Sequence, residues 1–133
     1  VSMPDIMANY DANLAIDHLS QGRVVVFAGG TGKPLCTTDS AASHRAVDIG
    51  ADLLLKATKV NGVYSADPHK VPDAVYFPTL SYQEALDRGL EVMDFQSFEY
   101  CRDHRMLIRV FNMDQLEVLQ QIIEGEAIGT LIS

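Results

Sequence analysis

The sequence predicts an α/β fold organised on a parallel sheet, and three observations carry that reading. Short apolar runs suited to buried strands alternate along the chain with stretches of helical periodicity. Two of those runs, Val24–Phe27 and residues 52–56, flank a helical stretch with short joints, the pattern of a βαβ unit with parallel strands and a right-handed crossover. Between the first run and the helix lies Ala28-Gly29-Gly30-Thr31-Gly32-Lys33-Pro34, a glycine-rich loop. Such a loop lets backbone N–H groups approach an anion at a helix start, where the dipole adds about half a positive charge.

Taken in order, residues 1–10 carry Pro4 and no periodicity, and read as a leading loop or linker. Asp11 is placed to cap a helix over about 12–20, with Leu14, Ala15 and Leu19 on one side and Gly22 ending it. The Val24–Phe27 strand and the loop follow. Thr37-Thr38-Asp39-Ser40 then supplies N-cap residues for a helix to about Ile49, its inward face Ala42, Ala46 and Ile49, with Gly50 as its stop. Asp52-Leu53-Leu54-Leu55-Lys56 is the second buried strand. The segment 57–80 is rich in turn signals, and Asn61-Gly62 between Val60 and Val63 predicts a tight turn or small hairpin. Ser81-Tyr82-Gln83-Glu84 fits a capping box opening a short helix to about Arg88. Asp94 caps a helix over about 94–104 with Phe95, Phe98 and Cys101 or Arg102 at near-helical spacing. Leu107–Phe111 is a strand, and Asp114 caps a helix through about Ile123 with Leu116, Leu119, Ile122 and Ile123 inward. Gly129–Ile132 reads as a short edge strand.

The 133 residues suffice for one domain, and no apolar run approaches the roughly 20 residues of a membrane span. Ten Lys plus Arg against eighteen Asp plus Glu, a net charge of −8, argues against nucleic acid as a partner but leaves room for a single phosphate site. Two cysteines without metal-ligand spacing, and no signal peptide, read as a reduced, cytoplasmic setting. The four histidines form no zinc pattern, so no protein-held metal is expected. The chain begins at Val1, which raises the reading that it is a piece of something longer.

Local pattern alone does not identify the loop. A Walker phosphate loop would need glycine at Phe27 and no proline after Lys33, and a dinucleotide loop would need glycine at Leu35. What remains is an anion site near a helix N-terminus or a plain strand-to-helix turn, with Thr31, Thr37 and Thr38 adding hydroxyl donors on the side of a ligand. Asp39 is either an N-cap or a carboxylate that orients a lysine or Mg²⁺ near phosphates. Lys56 either snorkels at the sheet edge or faces the cleft. If the βαβ unit forms, residues 28–38 and 57–67 share the carboxyl edge of the sheet, where open α/β sheets bind ligands.

Together these residues resemble the bacterial uridylate (UMP) kinases of the amino-acid kinase superfamily. The likeness rests on Ala28–Pro34 with Thr37–Ala42, on Leu55-Lys56-Ala57-Thr58-Lys59-Val60-Asn61-Gly62-Val63-Tyr64 with Asp67-Pro68, on Ile108–Asn112, and on Gly125-Glu126 with Gly129-Thr130-Leu131. It covers only the C-terminal half of that family's chain, so residues 11–133 would be the C-terminal nucleotide-binding part of the kinase domain. The resemblance implies a three-layer α/β/α fold with a mainly parallel sheet, a hexamer, and transfer of the ATP γ-phosphoryl group to UMP with Mg²⁺. It implies that Thr31, Gly32, Lys33, Pro34, Leu35, Cys36, Thr37 and Thr38 contact UMP, and that Thr58, Tyr64 and Asp67 contact ATP. Asp39 matches the acidic residue that organises catalytic lysines, and Lys56 falls on the phosphate side as a cation. Lys33 stands where the family usually has Asn, and Asn61 where it usually has Asp. The family's N-terminal half, with its own phosphate loop, is the implied partner, and the chain alone is expected to be a weak or inactive kinase. Two other readings stay open: a superfamily kinase acting on a carboxylate or carbamate, and a non-catalytic nucleotide-binding or assembly module.

Overall fold

Four of the five helices among the described residues start at a side-chain cap read from nearby sequence, and the strands are sorted by contacts far apart in sequence. The computed structural model describes residues 5–133, the Leu116 side chain excepted. The chain divides into two compact units, one ending at Ala51 and one beginning at Asp52.

The first unit holds α1 (Ala12–Ser20) and α2 (Thr38–Asp48). Asp11 caps α1 by accepting from the Leu14 N–H at 3.1 Å, and Gly22 leaves the helix with a φ of +73°, a left-handed turn that glycine adopts without penalty. Of the face expected to be inward, only Ala15 is buried; Leu14 and Leu19 are exposed. The cap of α2 is Thr37, whose Oγ1 accepts from Ser40 N–H at 3.1 Å. Asp39 is therefore not the cap but an acidic residue of the first turn. The buried stripe of α2 is Ser40, Ser43 and Ala46, and Ala42 is exposed, because Ser43 satisfies its hydroxyl on the Asp39 carbonyl (2.8 Å) and so can face inward.

The Val24–Phe27 run is not a strand: no ladder forms there among the described residues, and Val24 and Val26 are 92% and 84% exposed. An apolar run becomes a strand only when neighbouring backbones accept its hydrogen bonds. The expected βαβ unit is accordingly absent among the described residues.

The second unit holds a four-stranded sheet in the order β1-β5-β6-β4, from β1 (Leu54–Thr58), β5 (Ile108–Asn112), β6 (Thr130–Ile132) and β4 (Thr79–Leu80). β1 runs parallel to β5 with Leu54 opposite Ile108 and Thr58 opposite Asn112, so the strand starts two residues later than its apolar run suggests. β6 runs antiparallel to β5 and parallel to β4. It is thus an inner strand, not an edge, and Thr130 and Ile132 are fully buried. The class expected from sequence, α/β with a mainly parallel sheet, holds for this unit.

A two-stranded sheet, β2 (Val63–Tyr64) with β3 (Tyr76–Phe77), runs antiparallel. Asn61-Gly62 leads into β2 instead of turning a hairpin with Val60. Gly62 is required there by proximity, since a Cβ would lie 2.8 Å from Tyr76 Cε2 and also overlap Thr130 Oγ1.

Three helices complete this unit: α3 (Tyr82–Asp87), α4 (Phe95–Asp103) and α5 (Leu116–Ile123). Ser81 and Asp94 cap the first two as the sequence indicates, accepting from Glu84 and Ser97 N–H groups at 3.0 Å each. Tyr82 and Phe98 rings meet at 4.8 Å above fully buried Cys101. Asp114 does not cap α5: the helix begins one residue later, after Gln115, which makes no side-chain cap bond, and the Asp114 N–H donates to Asn112 Oδ1 at 3.0 Å. The helix packs Val118 and Ile122 on Phe111, with Leu53, Leu55 and Ile128 around them. That choice of an i, i+4 stripe leaves Leu119 and Ile123 exposed, against the expected inward set, and Leu116 lies outside the described side chains.

Candidate functional site

In the first unit the glycine-rich loop is held in left-handed conformations. Gly29, Gly30 and Gly32 have φ of 81°, 64° and 69°, and Leu35 has 61°. A leucine there costs about 1 kcal/mol or more and gains nothing from burial, since its side chain is fully exposed. The Lys33 N–H donates to Thr31 Oγ1 at 3.2 Å, which bends the loop, and Thr37 then opens α2. Thr31 is half-buried, while Gly32, Lys33, Pro34, Leu35, Cys36, Thr37 and Thr38 are exposed; Asp39 is half-buried just inside the helix. The arrangement joins open backbone, hydroxyls, one lysine and a helix N-terminus, which together suit an anionic group.

A groove of about 660 Å³ runs from Gly30 and Thr31 past Phe27 to Tyr10, Leu14 and Arg45. It contains a cluster that sequence reasoning missed. The Arg45 guanidinium lies 3.4 Å over the Tyr10 ring, and the Tyr10 hydroxyl donates to Asp48 Oδ2 at 2.6 Å. Phe27 meets the same ring edge-on at 5.9 Å. Burial, and then the Asp48 carboxylate, raise the Tyr10 phenol above its ordinary value. Arg45 and Asp48 are a readable i, i+3 pair on α2, but nothing local announces Tyr10.

In the second unit Lys56 is half-buried in β1, opposite Val110. The Thr58 hydroxyl is engaged with backbone, 2.9 Å from the Val60 carbonyl and 3.1 Å from that of Phe111. Asp67 organises its own turn: Oδ1 accepts from His69 N–H (2.9 Å), and its carbonyl accepts from Lys70 and Val71. Tyr64 alone of the three ATP candidates lines a hollow of about 530 Å³, together with Asn61, Tyr76, Asn112, Gln115 and Gly129. The Tyr64 and Tyr76 rings stand 5.4 Å apart, and the Tyr76 hydroxyl donates to the Gly129 carbonyl at 2.7 Å. Asn112, Gln115 and Tyr76 were not foreseen as site residues; an asparagine closing an apolar strand was the available signal at 112.

Among the described residues no group of three His, Cys, Asp or Glu is placed to hold a metal ion, and no helix is long and apolar enough to cross a membrane. Neither cysteine forms a disulfide; Cys36 is exposed and Cys101 buried.

An α/β sheet unit and a glycine-rich loop opening a helix define a class of phosphate-handling proteins, and the chain belongs to the amino acid kinase family, whose sequence model matches residues 4–112. Within it, the chain is 54% identical over 132 residues to a uridylate kinase of Pseudomonas syringae, covering 99% of this chain and 54% of the relative. It is 53% identical over 127 residues to the uridylate kinase of Methylococcus capsulatus, covering 96% and 53%. Among solved structures it matches UMP kinase from Bacillus anthracis with a TM-score of 0.96 at 33% identity, over 100% of this chain and 55% of that one. Uridylate kinase from Archaeoglobus fulgidus gives 0.74 at 34% identity, over 96% and 60%. The chain spans about half the length of the curated relatives it matches.

Proposed function

We propose that this chain is the nucleotide-binding half of a UMP kinase, a cytoplasmic enzyme of pyrimidine nucleotide synthesis that converts ATP and UMP to ADP and UDP. The observation that carries the reading is the chain-long likeness, 54% identity over 132 residues to a uridylate kinase. The loop from Thr31 to Thr38 holds the acceptor: its backbone N–H groups, its threonine hydroxyls and the α2 dipole meet the UMP phosphate, with Lys33 adding charge. Thr58, Tyr64 and Asp67 mark the ATP side, where Thr58 and Asp67 shape the backbone and Tyr64 offers a ring. Asp39 and Lys56 act on the phosphates, the first as an orienting carboxylate and the second as a cation.

In the reaction a UMP phosphate oxygen forms a bond to the γ-phosphorus, and the bond from that phosphorus to the β–γ bridging oxygen breaks, its electron pair leaving with ADP. Such transfer is chiefly positioning and charge neutralisation. The Mg²⁺ that such a transfer uses is taken to arrive bound to the ATP phosphates.

The reading calls for an N-terminal kinase half and for further copies, a hexamer in the resemblance. Exposed Val24 and Val26 support a missing neighbour, because valines in an extended run are seldom left in water. The purified 133-residue chain should bind UMP calorimetrically while turning over far below a full-length relative. Absence of any UMP heat would overturn the acceptor assignment, and robust UDP formation by the chain alone would overturn the dependence on another half.

A further inference from the structure

The two ends of the glycine-rich loop are tied by a side chain that lies outside it. Phe27 is the last residue before the loop, and α2 begins where the loop ends, at Thr38. Between them Gly29, Gly30, Gly32 and Leu35 take left-handed φ. Backbone so permissive does little by itself to fix the distance between its ends. No ladder holds Phe27 among the described residues, so strand pairing within them does not fix the entry either.

Tyr10 spans the gap. Its ring meets the Phe27 ring edge-on at 5.9 Å on one side and carries the Arg45 guanidinium 3.4 Å from its centre on the other. Its hydroxyl donates to Asp48 Oδ2 at 2.6 Å, a short charge-assisted bond. Asp48 is the last residue of α2, and Arg45, three residues before it, pairs with the same carboxylate oxygen at 3.5 Å. Tyr10 is itself anchored, because the next residue, Asp11, caps α1 through the Leu14 N–H. The Arg45 side chain is only 19% exposed and its charge is engaged by the carboxylate and the ring, so the cluster is not a second anion site. What it can do is hold Phe27 against the carboxyl-terminal end of α2.

We propose that Tyr10 is a positioning residue for the acceptor loop. By pinning Phe27 to Arg45 and Asp48 it fixes the span between the loop's two ends, and with it the direction in which the α2 N-terminus meets the UMP phosphate. The proposal deepens the acceptor reading of this loop and rests on it. Only molecules with the Tyr10 clamp closed present the loop in its binding arrangement, so the apparent UMP affinity scales with the closed fraction. Loosening the clamp lowers that fraction without removing any group that touches UMP.

The test combines calorimetric UMP titration with ¹⁵N relaxation of the loop amides in the 133-residue chain and in Tyr10→Phe, Tyr10→Ala and Tyr82→Phe. Tyr10→Phe keeps the ring and loses the bond to Asp48, so UMP binding should weaken by about two- to fivefold, the upper figure being the loss of roughly one hydrogen bond. Tyr10→Ala also loses both ring contacts and should weaken it by at least about fivefold. Order parameters of residues 28–37 should stand near about 0.8 in the parent chain and fall toward about 0.6 in Tyr10→Ala, with the α1 and β5 signals retained to show that the variant folds. Tyr82→Phe removes an equally short hydroxyl bond, 2.6 Å to the Met106 carbonyl in the other unit, and should lower stability while leaving UMP affinity and loop order unchanged. The proposal is overturned if the loop is already disordered in the parent chain, if Tyr10→Ala leaves its order unchanged, or if Tyr82→Phe loosens it equally. UMP affinity that survives Tyr10→Ala leaves the acceptor reading standing and removes this one. If the parent chain gives no UMP heat, the acceptor reading falls, and the order parameters alone decide whether Tyr10 holds the loop.

Discussion

Replacing Thr130 by valine would isolate the hydroxyl that ties the two sheets of the second unit together. Thr130 is fully buried, its Oγ1 accepting from the Val63 N–H at 2.8 Å and donating to the Phe77 carbonyl. One hydroxyl thus satisfies backbone groups on both β2 and β3. Valine has nearly the same shape, so Thr130→Val keeps the packing and strands one donor and one acceptor in the interior. Each unsatisfied buried group costs about 1–3 kcal/mol, for a combined loss of roughly 3 kcal/mol. With a urea slope of about 2 kcal/mol/M, the unfolding midpoint should fall by about 1.5 M. Thr130→Ser keeps the hydroxyl and removes one methyl, for a loss nearer 1 kcal/mol. Urea unfolding followed by circular dichroism ranks the two. If Thr130→Ser proves as damaging as Thr130→Val, packing and not the hydroxyl holds β2 and β3, and the reasoning fails.

Other expectations are shorter to state. Thr37→Ala removes the α2 cap and should cost about 1 kcal/mol in thermal unfolding while reducing UMP heat in calorimetry; an unchanged UMP affinity would remove Thr37 from the acceptor loop. Gly129→Ala combines a φ of +76° with a Cβ pressed onto the Val110 carbonyl, so it should be far more destabilising than Gly30→Ala, whose Cβ would meet open space; equal losses in melting temperature would count against this. The buried Tyr82 hydroxyl donates to the Met106 carbonyl at 2.6 Å, and burial raises its pKa, as it does for Tyr10. A raised phenol stabilises the fold fully below the unfolded value near 10, and that stability is lost as pH rises through the folded value. Phenolate absorbance should therefore show Tyr10 and Tyr82 titrating above the free amino acid, and Tyr82→Phe should flatten the alkaline fall in stability.

Much of the helical skeleton was legible in the sequence because capping is local. Asp11, Ser81 and Asp94 each accept from an N–H three residues on, a relation that the order of residues already contains. The loop from Gly29 to Thr38 was legible for the same reason, glycines and threonines in sequence being the loop itself. Where local signals pointed to Asp, the sequence did not choose: Thr37, not Asp39, caps α2, and α5 begins after Gln115 without a side-chain cap and not at Asp114.

Tertiary structure alone decided the rest. Val24–Phe27 and Thr130–Ile132 are both short apolar runs, yet the first has no ladder among the described residues and the second lies between two strands. Strand identity depends on which backbones arrive alongside, and those come from distant positions, as when Thr130 meets Val63 across 67 residues. The hollow is likewise assembled from residues near 61, 76, 112 and 129, whose local signals say nothing of their meeting. Local hydrogen bonding wrote most of the helix starts into the sequence and glycine spacing wrote the loop before α2, whereas pairing and enclosure required the folded chain to bring separate segments together.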